Sequence, residues 1–213
     1  MTLDVAWAQR WARETATAIA EAKGELVELD RQIGDGDHGE NLNRGFQAVV
    51  AKLDASTEPP QLVSDVLKTI ATTLMSSVGG ASGPLYGTAF LRAAKVSNLS
   101  DLDSHAVVAL LEGALEGITA RGKAHVGEKT MVDAWSPAVD AAVAAADAGA
   151  SPEQVLVAAE QAAAVGAQST TPLVATKGRA SYLGERSAGH MDPGAASSVI
   201  VLQAAVRACG AAA

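Results

Sequence analysis

Apolar residues recur along this chain at intervals of three and four, the spacing that lines one face of an α-helix. Leu42, Phe46, Val49 and Leu53 form one stripe, Val63, Leu67, Ile70 and Leu74 a second, and Val107, Leu111, Ala114 and Ile118 a third. Ser151-Pro152-Glu153 has the chemistry of a helix start: a capping hydroxyl, a proline in the first turn and an acid at the positive end of the dipole. Thr130 and Asp133 are spaced like a capping box. Pro137 removes a backbone donor just beyond them and is expected to bend that helix early. The pattern predicts helices over 4–29, 40–54, 62–77, 83–95, 104–121, 131–147, 152–172 and 194–209. Val199-Ile200-Val201-Leu202 could stand as a strand by itself, but its alanine-rich flanks and the preceding Asp192-Pro193-Gly194 place it in a helix.

Composition narrows the architecture. At 213 residues and 48% apolar, the chain can bury a full core and is expected to form one domain over 1–213. Aromatics make up only 3%, which favours closely packed helices over a β-sandwich, so the expected class is all-α. A net charge of −8, with no basic cluster, argues against nucleic acid as a partner. The few cations that gather, Lys177, Arg179 and Arg186, suit a small anion better. Cys209 is the only cysteine, so no internal disulfide can form. No stretch approaches the roughly 20 apolar residues of a membrane span. The N-terminus, with Asp4 and two early tryptophans, lacks the plan of a signal peptide. A cytoplasmic protein with no membrane contact is expected.

Four polar segments interrupt the helices. In Asp30-Arg31-Gln32-Ile33-Gly34-Asp35-Gly36-Asp37-His38-Gly39, three carboxylates and three glycines crowd together. The acids offer hard oxygen ligands suited to Mg²⁺ carrying a phosphate, and without a cation they repel one another. An EF-hand reading fails, because the twelfth position holds Asn41 or Phe46 where a bidentate Glu is needed. A solvated acidic turn is the plainer alternative, and His38 could serve structure as well as ligand. The second segment, Ser76-Ser77-Val78-Gly79-Gly80-Ala81-Ser82-Gly83, can curl into a nest of N–H donors ahead of a helix, or can be a turn of small residues. No Walker A loop occurs, since Gly127-Glu128-Lys129-Thr130 carries an intruding glutamate. The third, Arg121-Gly122-Lys123 through Met131, could flank a nucleobase with aliphatic groups, or Met131 could simply fill core. The fourth is the long loop 175–193, in which Arg179 is the best electrophilic candidate because a guanidinium binds phosphate in a forked geometry. A surface arginine on a mobile loop is the alternative.

Together the segments closely resemble the nucleotide-binding subunits of bacterial phosphoenolpyruvate-dependent dihydroxyacetone kinases, and the matching C-terminal domain of single-chain, ATP-dependent dihydroxyacetone kinases. The resemblance is sharpest in Ile33-Gly34-Asp35-Gly36-Asp37-His38-Gly39, Gly79-Gly80-Ala81-Ser82-Gly83-Pro84-Leu85, Gly127-Glu128-Lys129-Thr130-Met131 and Gly178-Arg179-Ala180-Ser181-Tyr182-Leu183-Gly184-Glu185-Arg186. Residues 1–25, 55–61 and 143–155 carry little of it. The resemblance implies an antiparallel barrel of eight helices with ADP or ATP seated at one end on two Mg²⁺ ions. By position, Asp30, Asp35 and Asp37 would be metal ligands, and His38, Gly39, Glu40, Asn41, Ala81 and Ser82 would surround the phosphates, Glu40 through its backbone. Gly122 and Met131 would contribute to the nucleoside pocket, with Arg179, Asp192, Pro193 and Gly194 closing from the long loop.

The implied activity is that of a kinase subunit, a transferase of glycerol metabolism. Its bound ADP is phosphorylated in place by a phosphohistidine subunit of the phosphotransferase system, then passes the group to dihydroxyacetone held on a separate substrate subunit. The chain's length, with no substrate domain attached, favours this subunit role. Alternatives are an ATP-dependent kinase half acting on dihydroxyacetone or a related short sugar, and a nucleotide-sensing helical adaptor that engages a transcription regulator.

Overall fold

The apolar stripes become helices almost where the spacing puts them. The computed structural model describes residues 2–210. A two-residue strand β1 (Leu3–Asp4) leads into α1 (Val5–Ile33), followed by α2 (His38–Asp54), α3 (Val63–Ser77), α4 (Ser82–Val96), strand β2 (Asp101–Leu102), α5 (Ser104–Gly122), α6 (Val132–Asp147), α7 (Pro152–Ser169) and α8 (Pro193–Gly210). The expected cap before 152 is present: Ser151 Oγ accepts from Gln154 N, and Gln154 Oε1 accepts from Ser151 N. Asp4 and Asp103 cap α1 and α5 in the same way, accepting from Trp7 N and Ala106 N at 2.8 Å each. Val199 to Leu202 lie inside α8, as expected.

Three features depart from the expectation. α1 continues to Ile33 rather than stopping at residue 29, because Gly34 is the first residue to leave helical geometry. Residues 175–193 are not plain loop: Arg179–Ser187 form 3-10 turns joined at Gly184, whose φ is 55°. β1 and β2 pair antiparallel, a ladder too short to leave any periodicity in sequence.

Each helix packs on its neighbours in chain order, and α8 closes onto α1, so the helices form a ring. Trp7 and Trp11 hold that closure. Their rings stack with centroids 5.2 Å apart, Trp7 Nε1 donates to Ala205 O at 3.0 Å, and Trp11 Nε1 donates to Val201 O at 2.8 Å. A buried indole N–H left without an acceptor is costly, and the α8 backbone supplies an acceptor to each of these two. In this up-and-down order the α1–α2, α3–α4, α5–α6 and α7–α8 connections share one end. The β pair and the remaining connections lie at the other.

Small residues let the helices approach closely. Gly166 on α7 lies against α6, where an added Cβ would overlap Asp133 O and sit 2.8 Å from Pro137 Cγ. Proline at 137 cannot donate to that Asp133 carbonyl, yet α6 runs without interruption through it, with α7 packed over the same turn. Gly166→Ala is therefore expected to lower unfolding stability by about 1–3 kcal/mol, read as a lower urea midpoint at unchanged helicity. An unchanged midpoint would show that α6 and α7 are free to move apart.

Candidate functional site

The last turn of α1 and the first of α2 fold back on each other through Asp30. Its carboxylate is buried, and Oδ2 accepts from Asp37 N at 2.9 Å and His38 N at 3.2 Å, so it caps α2 from seven residues upstream. Gly34 makes the reversal feasible, since a Cβ there would overlap Asp30 Oδ1, and Gly36 adopts φ 73°. Asp30, Asp35 and Asp37 thereby bring carboxylate oxygens within 4.8 Å of one another. Hard oxygen donors at this separation fit Mg²⁺, which is held by few carboxylates together with phosphate oxygens. Arg179 reaches in from the 3-10 segment, Nη1 lying 2.9 Å from Asp35 Oδ2. The pair is solvent-exposed and contributes little stability, so its consequence is placement of a cation at the rim of the acid cluster.

Beside the acids, α4 begins at Ser82 after Gly80 turns the chain with φ 66°. Gly79 passes over the buried Asn41, whose Oδ1 accepts from Arg44 at 2.6 Å. Ser82 Oγ is 2.9 Å from His38 Nδ1, and Ser197 Oγ is 2.9 Å from His38 Nε2. Burial lowers the His38 pKa to about 4, against the opposing pull of Asp30, Asp37 and the Pro193 carbonyl, so the ring is neutral. Tyr86, also buried, is pushed up to about 12 for the same reason. The starts of α2, α4 and α8 line one cavity and bring their positive dipole ends to it, although Asp30 and Asp192 already take the first N–H groups of α2 and α8.

The third and fourth segments are tied together by Lys129. It is buried with φ 62°, and its Nζ donates to Thr170 O at 2.7 Å, to Thr171 O at 3.4 Å and to His190 O. The ammonium thus occupies the negative end of α7 and pins both ends of the strap 170–190. Burial lowers its pKa, with Asp192 and Asp133 opposing. Asp133 closes the preceding loop by accepting from Gly127 N and Thr130 N at 2.5 and 2.8 Å, the acid half of the anticipated capping box. Asp192 caps α8 through Ala195 N at 2.7 Å, and burial pushes its carboxyl up to about 7. Ile33, Ala175, Ala180 and Leu183 form a small apolar cluster of their own that seats the strap on the end of α1.

Two adjoining cavities result. The first, about 170 Å³, is lined by Asp30, Asp35, Asp37, His38, Ala81, Ser82, Met131, Arg179, Asp192, Pro193 and Gly194, with Tyr86, Lys129 and Lys177. The second, about 400 Å³, is mostly apolar and is lined by Pro84, Leu85, Ile118, Gly122, Ala124, Met131 and Val132 among others. Gly80, Ala81, Leu85, Thr130, Met131, Lys177 and Gly178 border both. A polar chamber opening onto an apolar one suits a ligand with a polyanionic end and a flat, less polar end.

Most residues singled out from the sequence therefore converge, and three stand apart. Gly39 faces α1, where a Cβ would overlap Lys23 O, and Glu40 pairs with Lys23 at 3.1 Å on the outside. Asn41 lies beneath the Gly79–Gly80 turn rather than on the cavity wall. Met131, read as either base contact or core filler, is buried and lines both chambers. Lys129, Tyr86 and Ser197 were missed. The available signal was a pair of serines, Ser197-Ser198, in an otherwise apolar helix.

The enclosed ring gives a pH test. With its folded pKa at about 4 and its unfolded value at 6.5, His38 stays neutral in the fold while the unfolded chain takes up a proton. This ring's contribution to stability falls as pH drops through 6.5 toward about 4. Nitrogen-15 NMR of the folded protein is expected to show no protonation of His38 from about pH 8 to about pH 5. An ordinary midpoint near 6.5 would disprove its enclosure.

Among the described residues no helix is long and apolar enough to cross a membrane. Residues 32–207 match the DAK2 domain. Over 204 residues the chain is 47% identical to PEP-dependent dihydroxyacetone kinase 1, ADP-binding subunit DhaL, of Listeria innocua, covering 96% of each. It is 46% identical over 179 residues to the DhaL subunit of the Escherichia coli enzyme, covering 84% of each. The crystal structure of the dihydroxyacetone kinase from C. freundii in complex with AMP-PNP and Mg²⁺ matches with a TM-score of 0.69 and 26% identity over 95% of this chain and 33% of that one. A ring of eight α-helices among the described residues, an acid-glycine reversal at one end and these likenesses agree: the chain belongs to the DAK2-domain family of DhaL-type, ADP-binding dihydroxyacetone kinase subunits.

Proposed function

We propose that this protein is the nucleotide-carrying subunit of a phosphoenolpyruvate-dependent dihydroxyacetone kinase. It keeps Mg-ADP bound as a cofactor, accepts a phosphoryl group from a phosphohistidine subunit of the phosphotransferase system, and passes it to dihydroxyacetone held on a separate substrate subunit. Such a relay belongs in the cytoplasm. The observation that carries the reading is the convergence of three carboxylates and three helix starts on one chamber that opens onto an apolar one.

In this reading Asp30, Asp35 and Asp37 hold two divalent cations. When bound, Mg²⁺ supplies charge neutralisation on the phosphate oxygens and a template for in-line transfer. The starts of α2, α4 and α8 bring their positive dipole ends to the phosphates, with Ser82 adding a hydroxyl. Leu85, Gly122 and Met131 enclose the nucleoside in the apolar chamber. Arg179 and Lys177 come from the strap, and Arg179 stabilises the charge that spreads over the transferring group. His38 is enclosed between serines and is given no role in holding a sugar, so that group and the base for the sugar hydroxyl come from the substrate subunit.

The likeness to a single-chain dihydroxyacetone kinase, of which this chain matches about a third, favours a second reading in which ATP is a free substrate. The two differ in nucleotide exchange. Freshly purified protein, dialysed extensively and then unfolded, is expected to release one equivalent of ADP. Rapid exchange with free ATP would favour the second reading, and failure to bind either nucleotide with Mg²⁺ would defeat both.

Asp35→Asn and Asp37→Asn are each expected to lose ADP at unchanged helicity, because each removes a hard anionic ligand. Full ADP occupancy in both variants would take these acids out of the site. Arg179→Ala is expected to slow phosphoryl transfer by about 10²- to 10³-fold, measured in the reconstituted relay. A rate unchanged within error would reduce the arginine to a surface residue.

A further inference from the structure

His38 is flanked by hydroxyls on both sides of its ring, Ser82 at Nδ1 and Ser197 at Nε2. A neutral imidazole has one N–H and one lone pair, so the two serines play opposite parts. Beyond Ser197 lies the buried Tyr86, its hydroxyl 2.7 Å from Ser197 Oγ and 3.2 Å from Ser198 Oγ. Ser198 donates to the Gly194 carbonyl at 2.7 Å, and Ser197 approaches the same carbonyl at a longer 3.1 Å.

Two proton arrangements satisfy this geometry. With the proton on Nε2, His38 donates to Ser197, Ser197 donates to the Gly194 carbonyl, and Nδ1 accepts the Ser82 proton. Ser82 then offers the cavity only lone pairs. With the proton on Nδ1, Tyr86 donates to Ser197, Ser197 donates to Nε2, and His38 donates to Ser82. The Ser82 hydroxyl proton is then free to point into the cavity. Tyr86 can donate to Ser197 in either arrangement; the second leaves only the longest contact, Ser197 to the Gly194 carbonyl at 3.1 Å, without a proton, and that carbonyl keeps Ser198 as its donor. Donation from Tyr86 also makes Ser197 the stronger donor, because hydrogen bonds in a chain polarise one another. The Pro193 carbonyl borders the ring as well and competes for its proton.

We propose that Tyr86 and Ser197 are positioning residues that hold His38 with its proton on Nδ1 and thereby make Ser82 a hydrogen-bond donor to a phosphate of the bound nucleotide. The inference rests on the nucleotide reading given above. It explains why a chamber floored by three carboxylates has a tyrosine in its wall and two serines behind that tyrosine. An anion entering such a chamber needs donors, and a serine whose proton was spent on the histidine would present it with lone pairs.

Nitrogen-15 NMR of histidine-labelled protein, with His38 assigned by its loss in His38→Gln, reads the tautomer directly. Wild-type protein with Mg-ADP is expected to show His38 protonated on Nδ1. Tyr86→Phe and Ser197→Ala are each expected to move population to the Nε2–H form and to weaken ADP by about tenfold, without that loss appearing when Ser82→Ala is already present. An Nε2–H ring in the wild-type protein would overturn the proposal with no variant needed. So would Tyr86→Phe and Ser197→Ala proteins that leave tautomer and ADP affinity unchanged, or an equal loss on the Ser82→Ala background. Protein that binds no nucleotide at all would instead defeat the reading of the cavity on which this rests, so the two failures are distinct.

Discussion

One carboxylate does two things at the end of α1, and the site depends on its doing both. Asp30 accepts the N–H groups that start α2, and through that bond it holds Asp35 and Asp37 at the range where three negative charges oppose one another. A helix cap contributes on the order of 1 kcal/mol, and the crowding of like charges works against the same fold. The local structure is thus built to favour a cation, and the glycines at 34 and 36 are what allow the chain to make the reversal.

Around that reversal the ring architecture sorts charge by position. Odd-to-even connections bring helix starts to the acidic end, where N–H groups suit phosphate. The buried Lys129 answers the end of α7 by donating to the carbonyls of Thr170 and Thr171. The same lysine fixes the strap that carries Arg179, so the guanidinium's reach is set by a bond in the interior.

The helices and the acid cluster were legible in the chain itself, because one needs only a repeat of three and four and the other only a run of residue types. The 3-10 turns of Arg179–Ser187 were not, since glycine and charge there obscure any period and the segment is held by Ile33, Ala175, Ala180 and Leu183 from separate stretches. Gly39 and Glu40 show the limit of transfer by position: both sit in the acidic stretch, yet one packs against α1 and the other faces Lys23. Lys129, Tyr86 and Ser197 act on partners 41 to 159 residues away or on residues they reach only through another side chain, relations that spacing does not encode.

The closure of α8 on α1 separates the order of the chain from the order in space. Trp7, Arg10 and Trp11 lie against Ala205, Ala208 and Val201, with Arg10 Nε donating to Ala208 O at 2.9 Å. The first and last helices are therefore neighbours at the pole opposite the acids, and the exposed connection 55–61 lies at that pole too. In topological terms the ring has no seam of its own. All four binding segments lie at the opposite pole, so the contact between α1 and α8 holds the ring together without taking any part in the acid-lined chamber.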